Sequence, residues 1–217
     1  MAIVRGLADW RRFPEAWRIG RKIGFSIWGE PRLADEIRQK QIVSLLQFGV
    51  FNERALEFAF EINDQELKAS ALCGVIACLL KQKKTERAQE IAFKALEAVQ
   101  SIKSFWEDSS ILDEVAKAAT DSGLSLEELL NAAQKIESME TRIQFLGGLA
   151  VATKRLGNQQ EALTFFGKAL KAAHSAGCAQ FWKTLAKTSD CLASIDQGQT
   201  LWESYQELNR IEHWLKV

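Results

Sequence analysis

Proline is nearly missing from this chain, with two in 217 residues. Because proline is the residue that most firmly breaks a helix, its scarcity leaves long stretches through which helices can run. Histidine is equally rare. His174 and His213 lie in separate predicted helices, with no second histidine or cysteine at zinc-ligand spacing, so no metal site is expected. The four cysteines, Cys73, Cys78, Cys178 and Cys191, contain no Cys-x-x-Cys pair. All four are read as reduced thiols; five positions turn a helix by about 500°, so Cys73 and Cys78 do not share a tight face and are read as packing residues. A charged, apolar and then small-residue leader pattern is lacking, and no apolar run approaches the roughly 20 residues that span a bilayer. The expectation is a cytoplasmic protein without a transmembrane anchor.

An excess of charge is also lacking. Lysine plus arginine and aspartate plus glutamate both number 28, whereas proteins that track phosphates carry a basic surplus. Nucleic acid is therefore disfavoured as a partner. There is no serine nucleophile elbow, Walker loop, Gly-x-Gly-x-x-Gly turn after a strand or His-Glu-x-x-His helix. Glu127 and Glu128 fall where a helix should start, a position that complements the helix dipole without any catalytic role. These absences predict a chain that is not an enzyme and carries no cofactor.

What is present is helical periodicity. From about Pro31 onward apolar residues recur at three- and four-residue spacing, and alternating strand-like stretches do not occur. The helices break near Gly49, Lys83 to Thr85, Gly123, Gly157 and Gly198, at intervals of 34, 40, 34 and 41 residues, the length of a two-helix unit. Internal echoes agree. Ala71-Leu72-x-Gly74-Val75 aligns with Phe145-Leu146-x-Gly148-Leu149 at a separation of 74, Arg87-Ala88 with Glu161-Ala162 at the same separation, and Phe105-Trp106 with Phe181-Trp182 at 76. A two-helix unit cannot hide its apolar stripe alone and must stack on a neighbour.

In these residues the chain resembles the tetratricopeptide repeat family. The best copy runs from about Thr141 to Ala176. Leu146, Leu149 and Ala150 stand at its first-helix packing positions, Leu156-Gly157 closes that helix, and Ala162, Phe166 and Ala169 fill the second. Thr153 replaces the family's tyrosine, and the terminal proline is missing. A second copy has Leu72, Val75, Ile76 and Leu79, then Ala88, Ala92 and Ala95; a third, around Leu112, Val115, Ala116, Ala119 and Gly123, is shifted after its turn to Leu126, Leu129, Ala132 and Ala133. The resemblance implies an all-α fold, a right-handed α-solenoid of about five such helical hairpins with terminal capping helices, over residues 31–217.

It also implies a function: a non-catalytic scaffold or adaptor whose first helices line a concave groove for a peptide or partner helix. The first-helix residues expected to project into that groove are Asp113, Lys117, Asp121, Gln144, Lys154 and Arg155. Their mixed charge indicates no simple acidic or basic ligand. Some family members clamp a terminal carboxylate with lysines and asparagines. Ser70, Cys73, Ala77, Leu80 and Lys81 stand in the corresponding helix, so that clamp is not carried over.

Residues 1–30 form a separate segment rich in aromatic and basic side chains. Trp10, Phe13 and Trp17 recur at helical spacing, Arg18 and Lys22 occupy another sector, and Trp28 follows. Three readings stand for it: a cap over the first repeat, a docking segment for a protein partner, or a peripheral membrane contact. The last makes the alternative function a membrane-associated adaptor. At the other end, Leu201, Trp202, Tyr205, Leu208, Ile211 and Trp214 form an apolar stripe that reads as the last helix and cap, or as a contact in a homo-oligomer.

Overall fold

The computed structural model describes residues 31–46, 53–102, 110–177 and Gln206, and every regular element among them is an α-helix. In chain order these are α1 (Pro31–Leu46), α2 (Glu53–Phe60), α3 (Gln65–Lys81), α4 (Thr85–Gln100), α5 (Ile111–Asp121), α6 (Leu126–Gln134), α7 (Met139–Arg155) and α8 (Gln159–Ala176). Proline opens α1, where its missing N–H would have had no helical partner. Among the described residues no helix is long and apolar enough to cross a membrane.

The described residues divide into two compact units. One comprises those within Met1–Ile102 with Asp121–Leu124; the other comprises those within Lys103–Thr120 and Ser125–Val217. In the first, α3 packs along α4, and α1 lies against α2 and α3. In the second, α7 packs along α8 and touches α6.

Local chemistry sets where these helices start. The Asp64 carboxylate accepts from the Glu66 and Leu67 amides at the start of α3, and Ser138 Oγ accepts from the Thr141 amide at the start of α7. Ser125 and Glu128 cap each other reciprocally at α6, which gives Glu128 the helix-start role expected of it. Asp35, buried in α1, ties that helix to the turn between α2 and α3 by accepting from the backbone amides of Asn63 (3.0 Å) and Asp64 (2.9 Å), and it also accepts from Arg38 (2.9 Å).

The same design recurs after 74 residues. Helices α3 and α7 both hold 17 residues and begin 74 positions apart, and the starts of α4 and α8 are also 74 positions apart. The turn between each pair closes identically. Lys84 N–H donates to Leu79 O and Lys83 N–H to Leu80 O; 74 residues on, Asn158 N–H donates to Thr153 O and Gly157 N–H to Lys154 O. These are the two hydrogen bonds of a Schellman ending, which needs a left-handed residue after the cap. Lys83 (φ 59°) and Gly157 (φ 86°) supply it.

Burial repeats with the same period. Each buried residue of α3 has a buried counterpart in α7, from Ala69 and Ile143 through Leu72 and Leu146 to Leu79 and Thr153. Every buried residue of α8 has one in α4. Volume is redistributed between the helices. Phe165 and Phe166 on α8 replace Ile91 and Ala92 on α4, while Ala150 and Thr153 on α7 replace Ile76 and Leu79 on α3. Interiors are close-packed, so a larger side chain on one helix is accommodated by a smaller one on its partner.

Candidate protein-binding site

Within the second unit, α5 comes close to α7 at Gly148. A Cβ there would stand 2.8 Å from Asp113 Oδ1, 3.2 Å from Ala116 Cβ and 3.4 Å from Asp113 Cα. The missing side chain lets α5 sit directly on α7. Above that crossing a concavity of about 190 Å³ opens, lined by Asp113 and Lys117 of α5 and by Gly148, Val151, Ala152 and Arg155 of α7. Asp113 and Lys117 are four positions apart, and Gly148, Val151 and Arg155 follow one another at helical spacing, so each set lies along one stripe.

Three of the six residues expected in a groove thus line one concavity: Asp113, Lys117 and Arg155. Lys117 and Arg155 are exposed, and among the described residues neither enters an ion pair. Asp113 is half-buried. The other three do not line it. Gln144 is half-buried one turn before Gly148, Lys154 is half-buried, and Asp121 is exposed at the last position of α5. Gly148, Val151 and Ala152 complete the walls and were not singled out as site residues; the pairing of Gly148 with Gly74 across 74 positions was the available signal. Trp10, Phe13, Trp17, Arg18, Lys22 and Trp28 lie outside the described residues, as does the carboxyl-terminal stripe.

The positions 74 residues earlier provide an internal comparison. Asp113, Lys117, Gly148, Val151, Ala152 and Arg155 correspond to Gln39, Val43, Gly74, Ala77, Cys78 and Lys81. Gln39 Nε2 donates to Ser70 Oγ (3.1 Å), Val43 is 55% exposed, Ala77 is exposed and Cys78 is buried. Of the three charges in the second unit, the first retains only the basic one at Lys81. The copy in the first unit thus has an amide and an apolar side chain, Gln39 and Val43, at the places of Asp113 and Lys117.

A second concavity, of about 400 Å³, lies in the first unit and was not foreseen from the sequence. Phe60, Gln65, Lys68, Leu72, Lys94 and Glu97 are among its lining residues. Lys94 Nζ is paired there with Glu97 (3.0 Å), so its charge is already matched.

The carboxyl groups with displaced pKa values belong to helix starts. Burial, reinforced by the neighbouring Asp64 carboxylate, pushes Glu66 upward against the opposing pull of Arg32. Hydrogen bonds from the Ser125 side chain and backbone hold Glu128 downward. Neither lines the α5–α7 concavity. Among the described residues no group of three or more histidine, cysteine, aspartate or glutamate side chains could hold a metal, Cys73 and Cys78 are buried, and His174 is exposed in the last turn of α8. The arrangement is suited to binding through charge and shape. Comparison with models of protein families, with curated proteins and with solved structures finds no match to this chain.

Proposed function

We propose that this chain is a non-catalytic protein-interaction scaffold, a right-handed solenoid of tetratricopeptide-like hairpins whose first helices form the binding wall. In this reading α1–α2, α3–α4, α5–α6 and α7–α8 are successive hairpins, and α5 and α7 are adjacent first helices. A groove between first helices accepts an extended peptide or a partner helix. The observation that carries the reading is the contrast between the two 74-residue copies. Both have the helix pair, the caps and the turn, yet only the second surrounds its concavity with Asp113, Lys117 and Arg155. Exposed charged side chains such as Lys117 and Arg155, set around a concavity, are what a recognition surface requires.

The test is affinity capture from a native cell extract, comparing the intact protein with a Lys117→Glu, Arg155→Glu variant whose helical content is verified by circular dichroism. A protein recovered stoichiometrically by the intact chain and lost by the folded variant is the expected result. Equal recovery of every captured protein by both refutes the α5–α7 wall as the working surface.

A further inference from the structure

We propose that Thr85, at the turn between α3 and α4, is a phosphorylation site for a serine/threonine kinase that selects basic residues around its acceptor. The proposal stands apart from the α5–α7 wall and is carried by the first unit alone. Residues 81–87 read Lys-Gln-Lys-Lys-Thr-Glu-Arg, which sets four cations and one acid around the hydroxyl. Lys81, Lys83, Lys84, Thr85 and Arg87 are all exposed. No other serine or threonine among the described residues follows more than one lysine or arginine within four positions. The equivalent turn of the second unit has Gly157, Asn158 and Gln159 at the places of Lys83, Lys84 and Thr85, so the acceptor and the cations before it are confined to one copy.

Charge patterns around the acceptor are how kinases tell one substrate from another, and a run of lysines suits a cleft lined by carboxylates. Thr85 is the first residue of α4. Helix ends open locally at far lower cost than the whole fold, which lets this turn extend into such a cleft. There Thr85 Oγ1 attacks the γ-phosphorus of ATP while the catalytic carboxylate of the kinase takes the hydroxyl proton. The Oγ1–P bond forms, the bond from the γ-phosphorus to the β–γ bridging oxygen breaks, and ADP leaves. The transferred group adds about −1.5 to −2 charges in the first turn of α4, beside Lys83 and Lys84 and at the positive end of the helix dipole. Modification therefore stabilises the α3–α4 hairpin.

The test incubates the full chain with the catalytic domain of protein kinase C and ATP and locates phosphate by peptide mass spectrometry. Incorporation at Thr85 is expected, and Thr85→Val should lose that phosphopeptide. A Lys83→Gln, Lys84→Gln variant, matched for helical content by circular dichroism, should be labelled at Thr85 about three- to tenfold more slowly, the range expected for losing two solvent-exposed ion pairs. The phosphorylated protein should melt about 1 to 4 °C higher than the unmodified one. Absence of phosphate at Thr85, or an equal rate in the lysine variant, would overturn the site. An unchanged or lowered melting temperature would overturn the stabilising effect of the phosphate.

Discussion

The two glycines at equivalent positions of α3 and α7 should respond to the same substitution with opposite sign. Replacing a glycine inside a helix by alanine gains about 0.5 to 1 kcal/mol from the lower backbone entropy of the unfolded chain. At Gly74 nothing opposes that gain. The new methyl would meet Leu46 Cδ1 at 3.4 Å, an ordinary van der Waals contact. At Gly148 the same methyl would stand 2.8 Å from Asp113 Oδ1 and 3.2 Å from Ala116 Cβ. The carboxylate can swing away, but Ala116 Cβ is fixed to the backbone of α5, so the two helices must separate. Overpacking of this kind costs about 1 to 3 kcal/mol. Gly74→Ala should therefore stabilise the protein, Gly148→Ala should destabilise it, and the two variants should differ by about 1 to 3 kcal/mol. Urea denaturation followed by far-ultraviolet circular dichroism measures both. For a chain of this size each kcal/mol moves the melting temperature by about 2 to 4 °C, which gives an independent reading. A Gly148→Ala protein as stable as Gly74→Ala would refute the close approach of α5 to α7.

Three further outcomes follow from individual side chains. Thr153 is 1% exposed and its hydroxyl has no hydrogen-bond partner among the described residues, so Thr153→Val, which keeps the shape and removes the polar atom, should stabilise by about 1 kcal/mol in a thermal melt. Asp35→Ala would strip the acceptor from two backbone amides and remove one of the carboxylates beside Arg38, which keeps Glu61, and should cost about 3 kcal/mol in denaturant unfolding. Ser125→Ala should cost about 1 kcal/mol through loss of the α6 cap. Because Glu128 has a lowered pKa in the folded protein, its contribution is complete above the ordinary carboxylate pKa and is lost as pH falls through the lowered one. Stability measured against pH should accordingly fall less steeply on the acid side in Glu128→Gln than in the unaltered protein.

Much of the helical layout could be read from the residues. The apolar period and the breaks at Lys83, Gly123 and Gly157 mark helix ends that the structure places at Lys81, Asp121 and Arg155. Lys83, Gly123 and Gly157 all take the left-handed conformation. The 74-residue echo between Gly74 and Gly148 is legible because both copies repeat a local sequence of cap, apolar stripe and turn. The site was less legible. Asp113, Lys117, Asp121, Gln144, Lys154 and Arg155 all lie off the strongest apolar stripe, and nothing local distinguishes the three that converge from the three that do not. Lys154 and Arg155 are neighbours in sequence, yet a 100° step around the helix puts only Arg155 on the lining.

The sequence by itself determined the helices, their ends and the recurrence of one design in two copies, because capping, turn conformation and helical periodicity depend on residues within a few positions of one another. Tertiary structure alone decided that Lys117 and Arg155 share a concavity and that Val151 and Ala152 form its wall. These residues meet because the backbone of α5 can descend onto α7 where Gly148 has no side chain, and such a contact between distant segments depends on how packed helices cross.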